Sequence, residues 1–269
     1  MAKITIPEIR DRKRRGPPLV MITAYDYPTA RIVDQAGVDL VLVGDSLGMV
    51  CLGYPDTVPV TLEEMIHHTA AVARGAERAL VVGDLPFLTY QVSPQQAVES
   101  AGRLVKEARA DCVKLEGGRT QADKIKAIVT AGIPVMAHIG LTPQTATQLG
   151  GFKVQGRDAE AARALMEDAK AVEAAGAFAV VLECVPTKLA TRISQGLSIP
   201  TIGIGAGPRC DGQVLVLHDL VGLFDRFVPK FVKRYAELGA EMRRAVETYC
   251  TEVREGAFPG PEHGFGEES

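Results

Sequence analysis

Eight short apolar runs punctuate the chain: PLVMITAY (18–25), VDLVLVGD (38–45), ALVVGD (79–84), CVKLEG (112–117), IPVMAHIG (133–140), AFAVVLE (177–183), IPTIGIGAG (199–207) and QVLVLHD (213–219). Each is continuous rather than alternating, as expected of strands buried on both faces in a parallel sheet. Segments of helical period separate them at 27–36, 61–75, 94–109 and 120–131. Thr61, with Glu64 three positions on, reads as a capping box, and Ser93-Pro94 places a cap residue before a first-turn proline. Gly37, Gly132 and Gly176 stop helices just before the second, fifth and sixth runs. Eight such units predict an α/β fold, a (β/α)8 TIM barrel, with a doubly wound open sheet as the alternative. Gly203-x-Gly205-x-Gly207 lacks the spacing of a dinucleotide loop and comes late in the chain. It reads as a tight backbone approach rather than a phosphate cradle.

Beyond the eighth run, Phe231, Tyr235, Leu238, Met242, Val246, Tyr249 and Val253 recur at helical spacing. They predict one long C-terminal helix over 228–255, covering the barrel or a neighbouring subunit. The Gly-, Pro- and Glu-rich residues 256–269 read as a mobile tail. No composition shift marks a domain boundary, so 1–269 is expected to be one barrel domain.

Composition narrows the function classes. A hydrophobic content of 46% can bury a core, which excludes disorder. Thirty basic against 33 acidic side chains leave a net charge of −3, so no basic excess exists to displace counterions from nucleic acid. The basic stretch Arg12–Arg15 is then a solvated face. No apolar run approaches the ~18 residues of a membrane span, and residues 1–15 hold no apolar leader segment. A cytoplasmic protein is expected. The cysteines Cys51, Cys112, Cys184, Cys210 and Cys250 have neither zinc nor redox spacing and are expected to be reduced thiols.

In a barrel the active site gathers at the C-terminal ends of the strands. Those ends carry Asp45-Ser46, Asp84, Lys114 with Glu116, His138, Glu183 and His218-Asp219. Lys114 and Glu116 stand two apart and share one face. Singly, each has a bland reading: a cap, a structural ion pair, a polar rim residue, or for His218-Asp219 the start of a helix. Together they suit a hard cation on aspartates, a carboxylate base and a lysine facing developing negative charge. That set fits proton removal beside the ketone of a 2-oxo acid. A metal-free aldolase with Lys114 as its Schiff-base amine competes, although Glu116 beside it favours the protonated amine.

The segments VGDSLGMV (43–50), TVPVTLEEM (57–65), VVGDLPF (81–87), VKLEGG (113–118), IPVMAHIGLTPQ (133–144), LECVP (182–186) and PTIGIGAGPRCDGQVLV (200–216) resemble the ketopantoate hydroxymethyltransferase family over nearly the whole chain. The resemblance implies a barrel of the phosphoenolpyruvate/pyruvate-utilising type. It also implies transfer of a hydroxymethyl group from 5,10-methylenetetrahydrofolate to 3-methyl-2-oxobutanoate, giving 2-dehydropantoate for pantothenate biosynthesis. It places magnesium on Asp45 and Asp84 with Glu116 associated, substrate on Ser46, Lys114 and His138 as well as the two aspartates, and the catalytic base at Glu183. It implies small-molecule substrates and a homo-oligomer, a decamer, with no nucleic acid or membrane partner. A metal-dependent 2-oxo acid C–C lyase of the same barrel type is the alternative.

Overall fold

The computed structural model describes residues 2–148 and 150–266. Its strands are β1 (Leu19–Thr23), β2 (Leu40–Val43), β3 (Leu80–Asp84), β4 (Cys112–Glu116), β5 (Val135–Gly140), β6 (Ala179–Glu183), β7 (Thr201–Ile204) and β8 (Gly212–Leu215). They close in chain order into a parallel barrel, β1 pairing with both β2 and β8. That closure excludes the open sheet. Every strand falls within one of the eight apolar runs except β8, which starts one residue before its run.

The helices are α1 (Ile6–Asp11), α2 (Tyr27–Gln35), α3 (Leu47–Val50), α4 (Leu62–Gly75), α5 (Pro94–Lys106), α6 (Ala122–Thr130), α7 (Ala159–Ala174), α8 (Thr187–Gly196), α9 (Leu217–Leu220) and α10 (Leu238–Glu255). The start signals act as read. Thr61 Oγ1 accepts from the Glu64 amide at 3.2 Å, while the Glu64 carboxylate accepts from the Thr61 amide at 2.7 Å. Ser93 Oγ accepts from the Gln96 amide at 3.1 Å.

Side-chain alternation explains how one barrel holds both a dry core and a polar mouth. Leu40 and Leu42, Leu80 and Val82, and Ala179 and Val181 join Cys112, Met136, Ile202 and Val214 in one buried cluster. Ile9 of α1 packs into the same cluster with Leu19 and Phe178, near the strand starts. Two residues further along the same faces come Asp84 after Val82, Lys114 and then Glu116 after Cys112, His138 after Met136, and Glu183 after Val181. Period two therefore carries an apolar floor upward into a charged layer at the strand ends.

The chain divides into two compact units, Met1–Leu217 and His218–Ser269. For the second unit one reading holds and one needs correction. The eighth run stops being strand at Leu215, and His218 and Asp219 sit in the short helix α9, the helix start read for them, rather than on the strand itself. The long helix starts at Leu238, ten residues later than the apolar stripe suggested. The amides of Tyr235, Leu238 and Gly239 bond to the carbonyls of Leu220, Val221 and Gly222. Those bonds take amides that a helix through 228–237 would use. Once begun, α10 runs to Gly256, whose left-handed φ of 71° caps it. Of the expected tail, residues 267–269 lie outside the described residues. Before them, Pro261–His263 form a 3-10 turn and Phe258 packs on Tyr249 with ring centroids 5.5 Å apart.

Candidate active site

The barrel brings Asp45, Ser46, Asp84, Lys114, Glu116, His138 and Glu183 to one end. Register does most of the positioning. Asp84 pairs with Lys114 across β3 and β4, and Glu116 pairs with His138 across β4 and β5. Lys114 Nζ donates to both oxygens of Asp84, at 2.8 and 2.7 Å. The Asp45 amide approaches Asp84 Oδ2 at 3.4 Å, which ties the end of β2 to β3. Ser46 Oγ lies 2.9 Å from the hydroxyl of buried Tyr25.

His138 stands between two carboxylates. Its Nδ1 is 3.6 Å from Glu116 Oε1, and its Nε2 is 3.2 Å from Glu183 Oε2. Close as these are, neither ring nitrogen makes a well-directed hydrogen bond among the described residues.

Burial sets the electrostatics. Asp45, Asp84, Glu116, Lys114 and His138 are all buried, whereas the Glu183 side chain keeps 15% exposure. Three desolvated carboxylates therefore face a single ammonium. Burial, with Asp84 adding like charge, pushes the Asp45 carboxyl up to about 7. Burial and then Asp45 drive Glu116 well above the ordinary carboxylate range. Burial works against the charge on Lys114, yet Asp84, Glu116 and Asp45 overcome it and hold the amine protonated above its ordinary range. His138 is held below its ordinary value, chiefly by burial and then by Lys114. A protonated lysine clasped by an aspartate is poorly prepared to attack a carbonyl, which weighs against the Schiff-base reading. Cys184 follows Glu183 directly, but burial pushes its thiol up to about 11, away from a reactive thiolate.

Glu183 depends on the chain beside it. It pairs with Gly140, whose φ of +98° suits glycine, and a Cβ there would lie 2.3 Å from the Glu183 carbonyl oxygen. Gly140→Ala is expected to cost about 1–3 kcal/mol in urea unfolding. The glycine-rich segment after β7 is likewise a close approach: a Cβ on Gly207 would meet Thr187 Oγ1 at 2.5 Å.

Tyr25, Tyr90 and Gln144 were missed as site residues. Gln144 lies on the 3-10 turn Pro143–Thr145 and Tyr90 in the loop after β3. Both are buried, Tyr90 with its hydroxyl on the Glu116 backbone and Gln144 with its amide on the Asp45 carboxylate. A polar glutamine directly after a turn proline, six positions beyond the strand-end His138, was the available signal, but nothing in the spacing distinguishes it from a loop residue.

The class of protein is set by this closed barrel with its charged side chains gathered at the strand ends: a (β/α)8 barrel of the kind that carries an enzyme's active site at that end. Solved structures of similar fold include a 2,3-dimethylmalate lyase, itself a member of the PEP mutase/isocitrate lyase superfamily (TM-score 0.61, 16% identity, 99% of this chain and 89% of that one). A phosphonopyruvate hydrolase in complex with oxalate and Mg++ is also similar (TM-score 0.63, 13% identity, 97% and 93%). These likenesses concern the fold alone. Sequence narrows the class further: the ketopantoate hydroxymethyltransferase profile matches residues 3–261, and the chain belongs to that family. It is 62% identical over 263 residues to the 3-methyl-2-oxobutanoate hydroxymethyltransferase of Enterococcus faecalis, covering 98% of this chain and 96% of the relative. It is 60% identical over 264 residues to the enzyme of that name from Heliobacterium modesticaldum, with the same coverage. Hydroxymethyl transfer is thereby supported over the lyase alternative. Among the described residues, no helix is long and apolar enough to cross a membrane.

Proposed function

We propose that the barrel mouth removes a proton from C3 of 3-methyl-2-oxobutanoate and joins that carbon to the one-carbon unit of 5,10-methylenetetrahydrofolate. The observation that carries this reading is the division among the carboxylates: Asp45, Asp84 and Glu116 buried around Lys114, and Glu183 partly open on the other side of His138. Glu183 takes the C3 proton, and the electron pair of the C–H bond moves toward the keto oxygen. The Lys114 ammonium meets the charge that develops there. C3 then bonds to the methylene carbon, that carbon's bonds to folate nitrogen are broken, and one water supplies the hydroxyl oxygen. The products are 2-dehydropantoate and tetrahydrofolate. Ser46 and His138 orient the 2-oxo acid.

The donor set fits a hard divalent cation. Three buried carboxyls facing one ammonium raise Asp45 and Glu116, so a divalent cation there would favour their ionised forms, and magnesium accepts one or two carboxylates while keeping waters and positions for substrate oxygens. Asp45 and Asp84 would hold it, with Glu116 close by. When bound, the ion supplies Lewis-acid polarisation of the keto group. The solved phosphonopyruvate hydrolase with oxalate and Mg++ supports this by fold analogy. A cytoplasmic homo-oligomer, a decamer, belongs to the same reading.

Turnover of the two substrates with magnesium tests it. Product is expected only with folate present, and EDTA is expected to lower the rate by about 10²–10³-fold, restored by added magnesium. Cleavage of a 2-oxo acid without folate would support the lyase instead. Undiminished turnover in EDTA, with borohydride trapping substrate on Lys114, would support the imine mechanism.

A further inference from the structure

Gln144 bonds two members of the carboxylate set, Asp45 and Glu116, where Lys114 bonds Asp84 alone. It is 3% exposed. Its Nε2 donates to Asp45 Oδ2 at 2.8 Å and to the Leu85 carbonyl at 2.9 Å. Both partners are pure acceptors at an ionised Asp45, so the amide cannot be turned round without setting oxygen against oxygen. Its Oε1 consequently faces donors, the Tyr90 hydroxyl at 2.7 Å and Gln91 Nε2 at 3.3 Å. Tyr90 has a single hydroxyl hydrogen. With that hydrogen on Oε1, the hydroxyl oxygen is left to accept from the Glu116 amide at 3.2 Å. The backbone amide of Gln144 itself donates to Glu116 Oε2 at 3.0 Å. One residue thus grips a carboxylate oxygen from the end of β2 and another from the end of β4.

We infer that Gln144, locked by Tyr90, is a positioning residue that fixes Asp45 and Glu116 by one oxygen each and would leave the other Asp45 oxygen to the cation. The residue type suits the task. An amide satisfies a buried carboxylate oxygen without adding charge, whereas a lysine or arginine there would compete with a cation for Asp45. The inference rests on the proposed cation reading of Asp45 and Asp84.

Its test uses Mn2+ as an electron-paramagnetic-resonance probe of the full-length enzyme without substrates. Parent protein is expected to bind Mn2+, and Gln144→Ala to bind it about 10–100-fold more weakly. At saturating Mn2+, deuterium exchange at C3 of the 2-oxo acid is expected to return close to the parent rate, a split that a general loss of structure would not give. Equal Mn2+ affinity in parent and Gln144→Ala overturns the inference and leaves the cation reading standing. A parent that binds no Mn2+ overturns both. Should Gln144→Ala fail to fold, Tyr90→Phe keeps the amide and removes the hydroxyl that fixes it. A loss of up to about 10-fold in Mn2+ affinity is expected there. Unchanged affinity in Tyr90→Phe counts against the inference equally.

Discussion

Glu183→Gln is expected to slow deuterium exchange at C3 of 3-methyl-2-oxobutanoate by about 10²–10⁴-fold while leaving the fold intact. Omitting folate isolates the C–H step, because no C–C bond can then form and exchange reports proton removal alone. Glutamine has the shape of glutamate and can still face His138 Nε2, which lies 3.2 Å from the carboxylate in the parent. What it lacks is the ability to accept and hold a proton. With 15% of the side chain exposed, the isostere should cost little stability, so lost exchange is a statement about chemistry. Exchange by Glu183→Gln at the parent rate would place the base elsewhere. His138 would be the next candidate, since burial holds it below its ordinary value and favours the neutral imidazole.

The sequence could be read for Glu183 because of where it falls. Ala179 and Val181 point into the barrel, so the residue two further on points into the mouth. The same counting places Asp84 and His138, and puts Lys114 and Glu116 on a shared face. A strand's period is local, and local rules show in sequence. Gln144 and Tyr90 obey no such rule. Their importance comes from loops after β5 and β3 meeting over carboxylates far away in the chain: Gln144 and Asp45 are separated by 99 positions. The long helix fails for the opposite reason. Its apolar stripe continues back through Tyr235 and Phe231, but the pairing of the Tyr235, Leu238 and Gly239 amides with residues 220–222 overrides the periodicity. Patterns of polarity report which face of an element is apolar. They do not report whether the backbone amides have been taken by another segment.

Asp84→Ala is expected to fail twice, in stability and in chemistry, and the two failures can be separated. The Lys114–Asp84 pair is almost wholly buried, with side-chain exposures of 5% and 1%. Removing one partner of such a pair typically costs about 3–5 kcal/mol, because the remaining charge is left desolvated. Here Glu116 and Asp45 still favour the protonated lysine, so the loss should fall toward the lower end of that range in urea unfolding. The chemical loss has a different origin. Asp84 is one of two carboxylates proposed to hold the cation, and it also fixes the ammonium that meets charge on the keto oxygen. Losing several kcal/mol of transition-state stabilisation corresponds to about 10³-fold or more in C3 exchange. The double variant Asp84→Leu with Lys114→Met distinguishes them. Replacing a buried ion pair by apolar side chains of similar volume is often neutral for stability, so this variant should recover much of the unfolding free energy. It should recover none of the exchange. If Asp84→Ala keeps both stability and exchange, the aspartate is neither a cation ligand nor the anchor of Lys114. Recovery of exchange together with stability in the double variant would make Asp84 a structural residue only, and would take the cation reading of this mouth with it.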